Sequence, residues 1–279
     1  MTDAGRLAGR VALVTGAARG QGRSHAVRLA KEGADVVAID LLEDIASVPY
    51  HLATKADLDE TARLVEAAGR EVLCTRADVR DFDEVKEVAA EAAERFGRLD
   101  IVCANAGIVS YAPGDALSEQ AWSDVIAVNL TGVWHTLKAC VPHMVSAGHG
   151  GSIVITSSMA GLKGLANTAH YTAAKHGVVG LMKVFATELA PQRIRVNCVH
   201  PTSVNTEMLH NEATYNLFRP GLEHATLEDA MNGFHFVNSM PTPWVEPADV
   251  SDAVAWLASD ESRFVTGISL PVDAGFLLR

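Results

Sequence analysis

Tyr171 and Lys175 stand four residues apart in "HYTAAKH", so on a helix they share one face. Tyrosine is a poor base near neutrality, with an ordinary pKa of about 10. An ammonium one turn away favours the phenolate and lowers that value, which suits the phenol to proton transfer. The pair alone is common and carries little information. Here Ser158 also sits thirteen residues before Tyr171, just after the apolar run "SIVIT". Asn129, in "VIAVNLTG", lies inside a long apolar stretch, where an amide is costly unless it has a partner.

A second set of residues is suited to holding a dinucleotide. Residues 15–22 read "TGAARGQG", with Gly16, Gly20 and Gly22 interleaved by Arg19 and Gln21. Glycine lets the backbone approach a pyrophosphate, and the helix that follows offers free N–H groups and a positive dipole end. Asp40 follows Gly16 by twenty-four residues and ends the next apolar run. A carboxylate there can accept both ribose hydroxyls of an adenosine and repel a 2′-phosphate. Leu41 and Leu42 offer no cation for such a phosphate, and Arg19 is the one feature pointing the other way. Asp40 occupies the place the phosphate would need, so the expected cofactor is NAD and not NADP. "ADV" places Asp78 and Val79 where they can flank an adenine, and "ANAG" brings the backbone of Asn105, Ala106 and Gly107 close to a ligand.

These residues must be positioned by regular elements, and the sequence supplies them in alternation. Runs rich in Val, Ile and Leu fall at 11–15, 35–39, 71–76, 100–104, 152–156, 194–199 and 267–272. They are nearly continuous in apolar residues, as strands covered on both faces are, which implies parallel pairing. Helical patterns lie between them at 21–32, 58–68, 82–96, 118–146, 170–190 and 249–258, with starts marked by "DLDE" at 57–60 and "SEQ" at 118–120. The expected fold is α/β: a single-domain, Rossmann-type, doubly wound parallel sheet of about seven strands with helices on both faces, spanning 1–279.

Taken together, "TGAARGQG", "ANAG", Asn129, the serines at 157–158 and "YTAAK" resemble the short-chain dehydrogenase/reductase family over nearly the whole chain. Within it, "TGAARGQG", the "ID" at 39–40 and the enlarged segment that follows are similar to the carveol dehydrogenase-like, mycofactocin-associated branch. The resemblance implies an enzyme that moves a hydride between NAD and a secondary alcohol or ketone. It implies Tyr171 as general base or acid, Ser158 as the group that fixes the substrate oxygen, Lys175 as a ligand of the nicotinamide ribose, and Asn129 as the holder of a proton-relaying water. Pro201, Thr202, Val204 and Thr206 would contact the cofactor, although Pro201-Thr202 stands where the family usually has Pro-Gly. In that branch the NAD is held without ready exchange and an external redox carrier re-oxidises it. A non-catalytic, NAD-sensing protein on the same fold usually lacks the Tyr or the Lys; an ordinary, freely exchanging dehydrogenase of another alcohol is the nearer alternative.

Two segments fit the alternation poorly. Residues 41–57 leave the sheet beside Asp40 and carry Ile45, Val48, Pro49, Tyr50 and Leu52, too apolar for a solvated linker. A cover over the adenine half of the cofactor is expected there. Residues 203–247 hold Met208, Leu209, Tyr215, Leu217, Phe218, Phe234, Phe236, Met240 and Trp244, and read as an apolar lid over a lipophilic, cyclic alcohol. The net charge of −11 argues against nucleic acid or an anionic membrane as partner. No apolar run approaches the ~18 residues of a spanning helix, and the polar start "MTDAGRLAGR" does not read as a signal peptide. The four scattered cysteines fit a cytoplasmic, reduced protein, and the eleven histidines lack metal-ligand spacing, so no metal is expected. The family is usually tetrameric through its long helices and last strand, and the apolar end "GISLPVDAGFLL" fits that, so a homotetramer is expected.

Overall fold

The computed structural model describes residues 5–279; the first four residues of the expected domain, and of the polar start read there, lie outside the described residues. The chain runs β1 (Val11–Thr15), α1 (Gly20–Lys31), β2 (Asp35–Asp40), α2 (Lys55–Ala67), β3 (Val72–Arg76), α3 (Phe82–Phe96), β4 (Ile101–Ala104), α4 (Glu119–Ile126) and α5 (Gly132–Ala147). It continues β5 (Gly151–Thr156), α6 (Ala169–Leu189), β6 (Ile194–Pro201), α7 (Glu212–Phe218), α8 (Leu227–Val237), α9 (Pro247–Ala258) and β7 (Ser269–Val272).

The strands form one sheet in the order β3-β2-β1-β4-β5-β6-β7, every pair parallel. β1, β4 and β6 are buried along their whole length, which is why their sequences are unbroken apolar runs. On one face Val85, Leu137, Met144, Val178 and Met182 pack on Leu13, Ile39, Val102 and Ile155. On the other, Leu29, Val65, Val250, Val254 and Leu257 pack on Ala12, Val14, Val36 and Val154. The order reverses between β1 and β4, so a crevice opens at the carboxyl ends of those strands, the usual place for a ligand in such a sheet.

The expected strands hold to within two residues at each end. Two helices differ in an informative way. α2 begins at Lys55, three residues before the expected 58, because Thr54 is its cap: the Thr54 side chain accepts from the Asp57 N–H, and the Asp57 carboxylate accepts from the Thr54 N–H. The acid of "DLDE" is thus the third residue of a capping box and not the cap itself. Ser118 caps α4 as expected, accepting from the Ala121 N–H at 3.1 Å. The continuous helix expected over 118–146 is broken, however, by a π-helical turn, Ala127–Thr131, between α4 and α5. Wide turns of this kind gather at functional sites, and this one carries Asn129.

Candidate active site

The glycine-rich turn joins β1 to α1 at the crevice. A side chain at Gly22 would place its Cβ 1.9 Å from the Gly16 carbonyl oxygen, so the tight crossing of turn and helix requires glycine. The turn is braced from α2: the Thr61 hydroxyl donates to the Ala17 carbonyl at 3.0 Å, and Arg23 donates to the carbonyls of Ala18 and Asp57 at 2.6 and 2.8 Å. Asp40 closes the far side. Its carboxylate accepts from the N–H groups of Ala18 and Leu41, at 2.9 and 2.8 Å. Burial raises its pKa, and these N–H bonds pull part of the way back toward the ionised form. The crevice is lined by Gly16, Arg19, Gly20, Gln21, Gly22, Asp40, Leu41, Asp78, Val79, Asn105, Ala106, Gly107 and Thr206, all singled out from sequence. The Gln21 amide oxygen is buried there without a partner.

Asn105 ties the strand ends into one floor. Its amide nitrogen donates to the Thr15 carbonyl at 3.1 Å, and its amide oxygen accepts from the Thr156 hydroxyl at 3.2 Å. The Thr15 hydroxyl in turn accepts from the backbone N–H groups of Asn105 and Ala106, both at 3.0 Å. Thr15 and Thr156 escape sequence reasoning because a threonine at a strand end is ordinary; only their convergence on Asn105 marks them.

Beside this floor stand the groups suited to proton transfer. Lys175, on α6, is buried and donates to the Thr156 carbonyl at 2.7 Å; its Nζ lies 5.5 Å from the centre of the Tyr171 ring. Burial depresses its pKa to about 8. Ser158 follows β5 and caps a short 3-10 turn, accepting from the Ala160 N–H at 3.1 Å. α6 presses so closely on this turn that a Cβ at Gly161 would lie 2.3 Å from the Ser157 hydroxyl and 2.8 Å from the Lys175 carbonyl oxygen. A further buried side chain holds Ser158: His200, in β6, donates from Nδ1 to the Ser158 carbonyl at 2.7 Å, which fixes the ring as the Nδ1–H tautomer. His200 was passed over in the sequence as one of several scattered histidines.

Tyr171 departs from expectation in one respect. Within the polypeptide its pKa is pushed up, to about 12, because burial outweighs the contact with the Ser158 hydroxyl that lowers it. The Lys175 ammonium, turned toward Thr156, does not offset that burial.

Asn129 is bonded to the backbone. Its amide nitrogen donates to the Ile108 carbonyl at 2.8 Å and its amide oxygen accepts from the Ile108 N–H at 2.9 Å. The side chain is therefore committed to the backbone after β4. That is the partner a buried amide in an apolar helix requires, and it leaves the amide one further N–H and one further lone pair.

A second cavity, of ≈410 Å³, opens on the other side of Asn105 and Gly107. Ser158, Tyr171, Lys175, Pro201, Thr202, Val204 and Thr206 line its polar end. Val109, Tyr111, Met159, Leu165, Leu209, Leu217, Phe218, Val237 and Phe276 line the rest. Phe276, from the C-terminal turn, was missed because its role depends on the Ser239 and Met240 N–H groups bonding the Ala274 carbonyl, at 3.0 and 2.9 Å. Segment 203–247 is not an irregular loop. It contains α7 and α8 and a small core of its own, in which Leu209, Ala230 and Phe234 pack with Tyr215, Phe218 and Trp244.

Segment 41–54 has no helix or strand. It leaves β2 through Leu42, held at φ 60°, a left-handed conformation that leucine adopts only under constraint. It is fastened at several points. Arg19, whose sequence position had suggested a phosphate ligand, donates to the His51 carbonyl. The Ser47 hydroxyl donates to the Asp124 carboxylate at 2.7 Å. Ile45 and Val48 pack with Val79, Ile108, Val125 and Val128, a cluster that also includes Tyr171. Ile45, Tyr50, Leu52 and Ala53 line the same crevice as Asp40 and the glycine turn.

Among the described residues no helix is long and apolar enough to cross a membrane, and no three His, Cys, Asp or Glu side chains are grouped to hold a metal ion. The family model for short chain dehydrogenases matches residues 10–216. Over 276 residues the chain is 52% identical to a (−)-trans-carveol dehydrogenase of Rhodococcus erythropolis, covering 98% of this chain and 99% of that protein. It is 42% identical to a trans-4-hydroxycyclohexanecarboxylate dehydrogenase of Sinomonas cyclohexanicum, covering 97% and 93%. The crystal structure of carveol dehydrogenase from Mycobacterium avium in complex with NAD superposes with a TM-score of 0.97 at 53% identity, covering 99% of this chain and all of that one.

Proposed function

The chain belongs to the short-chain dehydrogenase/reductase family, and from that premise we propose that it is an NAD-dependent dehydrogenase of a lipophilic, cyclic secondary alcohol of the carveol type. The observation that carries this reading is the meeting of Ser158, Tyr171 and Lys175 where the two cavities adjoin, one lined by Asp40 and the glycine turn, the other by apolar side chains. The residues present suit NAD: the buried Gln21 amide oxygen has no partner within the chain, and Asp40 lines the crevice together with the glycine turn, a carboxylate suited to ribose hydroxyls.

Asp40 would hold the adenosine ribose, Asp78 and Val79 the adenine, the glycine turn the pyrophosphate, and Lys175 with Asn105–Gly107, Pro201, Thr202, Val204 and Thr206 the nicotinamide half. When bound, NAD supplies the hydride acceptor, and its positive ring adds to the field of Lys175 in opposing the burial that raises Tyr171. Ser158 holds the alcohol oxygen by a hydrogen bond, its own backbone fixed by His200. Tyr171 takes the hydroxyl proton during oxidation and returns one during reduction. Asn129 supports this through Ile108, and a relay water would be held by the backbone of its π turn. The apolar wall selects ring-bearing substrates, in keeping with the cyclic alcohols named for two relatives.

The 41–54 segment, packed and bonded over the crevice, supports a further part of the reading: NAD is retained between turnovers and re-oxidised by an external carrier of the mycofactocin type. A homotetramer in the cytoplasm completes it; the free cysteines, three of them buried, are compatible with a reducing compartment. The test is oxidation of carveol and of trans-4-hydroxycyclohexanecarboxylate by the purified protein loaded with NAD, followed as reduction of the bound dinucleotide and as steady turnover with an artificial electron acceptor. Turnover of at least one supports the assignment, and failure on every cyclic secondary alcohol tried, with other alcohols accepted, overturns it.

A further inference from the structure

The 41–54 segment touches more than the dinucleotide crevice. The Tyr50 ring lines that crevice, while its hydroxyl accepts a hydrogen bond from the Val109 N–H at 3.2 Å. Val109 faces the other cavity, the apolar one. One residue earlier, Ile108 is gripped at both its N–H and its carbonyl by Asn129. Residues 105–109 are therefore the partition between the two cavities. Its near end is fixed by the sheet through Asn105, its middle by Asn129, and its far end by a side chain of the segment over the dinucleotide. Ile45 and Val48, from the same segment, pack in the cluster that holds Ile108 and Tyr171.

On the reading that this segment closes over NAD, we propose that Tyr50 is a positioning residue: closure of residues 41–54 sets the alcohol-side wall at Val109, so that dinucleotide retention and alcohol binding are coupled. Lifting the segment withdraws the acceptor from the Val109 N–H. A polar group left without a partner in this partly buried wall is costly, so the wall must shift to find another. Val109 and Tyr111 move with it, and the cavity loses the shape that fits a ring. Linkage makes the effect reciprocal: if the closed segment favours alcohol, bound alcohol favours the closed segment and slows dinucleotide release by the same bias. The apolar wall is then completed only after the dinucleotide is seated, which orders binding with NAD first.

The test uses the dead-end combination of NADH and carveol, in which no turnover occurs. NADH release from the full-length protein is followed by its fluorescence, with and without saturating carveol. In the wild type, carveol should slow release roughly five-fold or more. In Tyr50→Phe, which keeps the ring and removes the acceptor, the ratio should fall toward one, while the KM for carveol rises and kcat changes little. Ser47→Ala frees the segment at an anchor that does not touch Val109; it should speed release with and without carveol alike and preserve the ratio. A ratio of one in the wild type, or an undiminished ratio in Tyr50→Phe, overturns the coupling. Failure of the retention reading shows separately, as fast release in the wild type that shortening of the segment does not change. Failure of the alcohol reading shows as no reduction of the bound NAD when carveol is added.

Discussion

Two segments cover the carboxyl edge of the sheet, and they are built by opposite rules. Residues 41–54 have no regular structure and no core of their own; their apolar side chains are absorbed into a cluster shared with β-strand ends, the π turn and Tyr171. Residues 203–247 fold around their own buried Phe234, with two helices, while Val204 and Val245 near their ends join the core beneath the sheet. The first is held by the fixed parts of the site and must break several hydrogen bonds and a packed cluster to open. The second keeps a core of its own, centred on Phe234. The difference is in keeping with the proposed retention on the dinucleotide side and with easier exchange on the alcohol side.

The comparison can be broken at its hinge, the chemistry both covers enclose. Tyr171→Phe should lower kcat by about 10²–10⁴-fold, with dinucleotide binding retained, as steady-state kinetics and a dinucleotide titration would show. Near wild-type turnover would remove Tyr171 from its role. Phe234→Ala attacks that second core alone. Deleting so large a buried ring costs about 3–5 kcal/mol, here of local stability. Hydrogen exchange should rise across 203–247 and the KM for alcohol should increase, while dinucleotide affinity holds. Spread of the exchange into 41–54 would mean that the two covers are one unit.

Lys175 sits beneath both. Its pKa is about 8 in the folded protein against 10.5 in the free chain, so between those values the unfolded chain binds more protons and stability rises with pH. Below about 8 both states are protonated and the penalty is present in full. That difference corresponds to about 3 kcal/mol. The dinucleotide-free protein should therefore show a Tm contribution that grows from pH 8 to 10.5 and is absent in Lys175→Met, measured by calorimetry. The smallest effect is expected at Asp40→Ala, on the dinucleotide side only. Like charges set against each other cost several kcal/mol in closed sites, and removing this carboxylate should narrow the NAD-over-NADP preference in kcat/KM while leaving the alcohol KM alone.

The central sheet was legible because doubly covered strands write themselves as apolar runs and the glycine turn sits at a fixed place between β1 and α1. Gly16, Gly20, Gly22, Asp40 and Asn105 could be placed on that ladder from spacing alone. The start of α2 could not, because Thr54 and Asp57 cap it reciprocally and either alone suggests a different boundary. The break at Ala127–Thr131 leaves no composition signal; its residues have the same apolar pattern as the helices beside it. His200 acts through a bond to the Ser158 carbonyl, and Thr156 through its hydroxyl on the Asn105 amide and its carbonyl under Lys175, contacts that no linear spacing records. The pKa of Tyr171 depends on the depth of burial, and neighbours in sequence say little about that. The helices α7 and α8 were hidden because aromatic residues packed on one another read equally well as a lid or as a small core, and here they form a small core.

The account rests on the 41–54 segment as the retaining cover, and the direct measurement is the dissociation of NAD from the wild type and from a variant in which residues 43–55 are replaced by a short turn. The account predicts slow release from the wild type, with dinucleotide still bound after gel filtration, and release faster by at least about ten-fold in the shortened variant, which corresponds to some 1.4 kcal/mol of lost retention. Equal, rapid release from both would contradict it and leave an enzyme that exchanges NAD freely with solution.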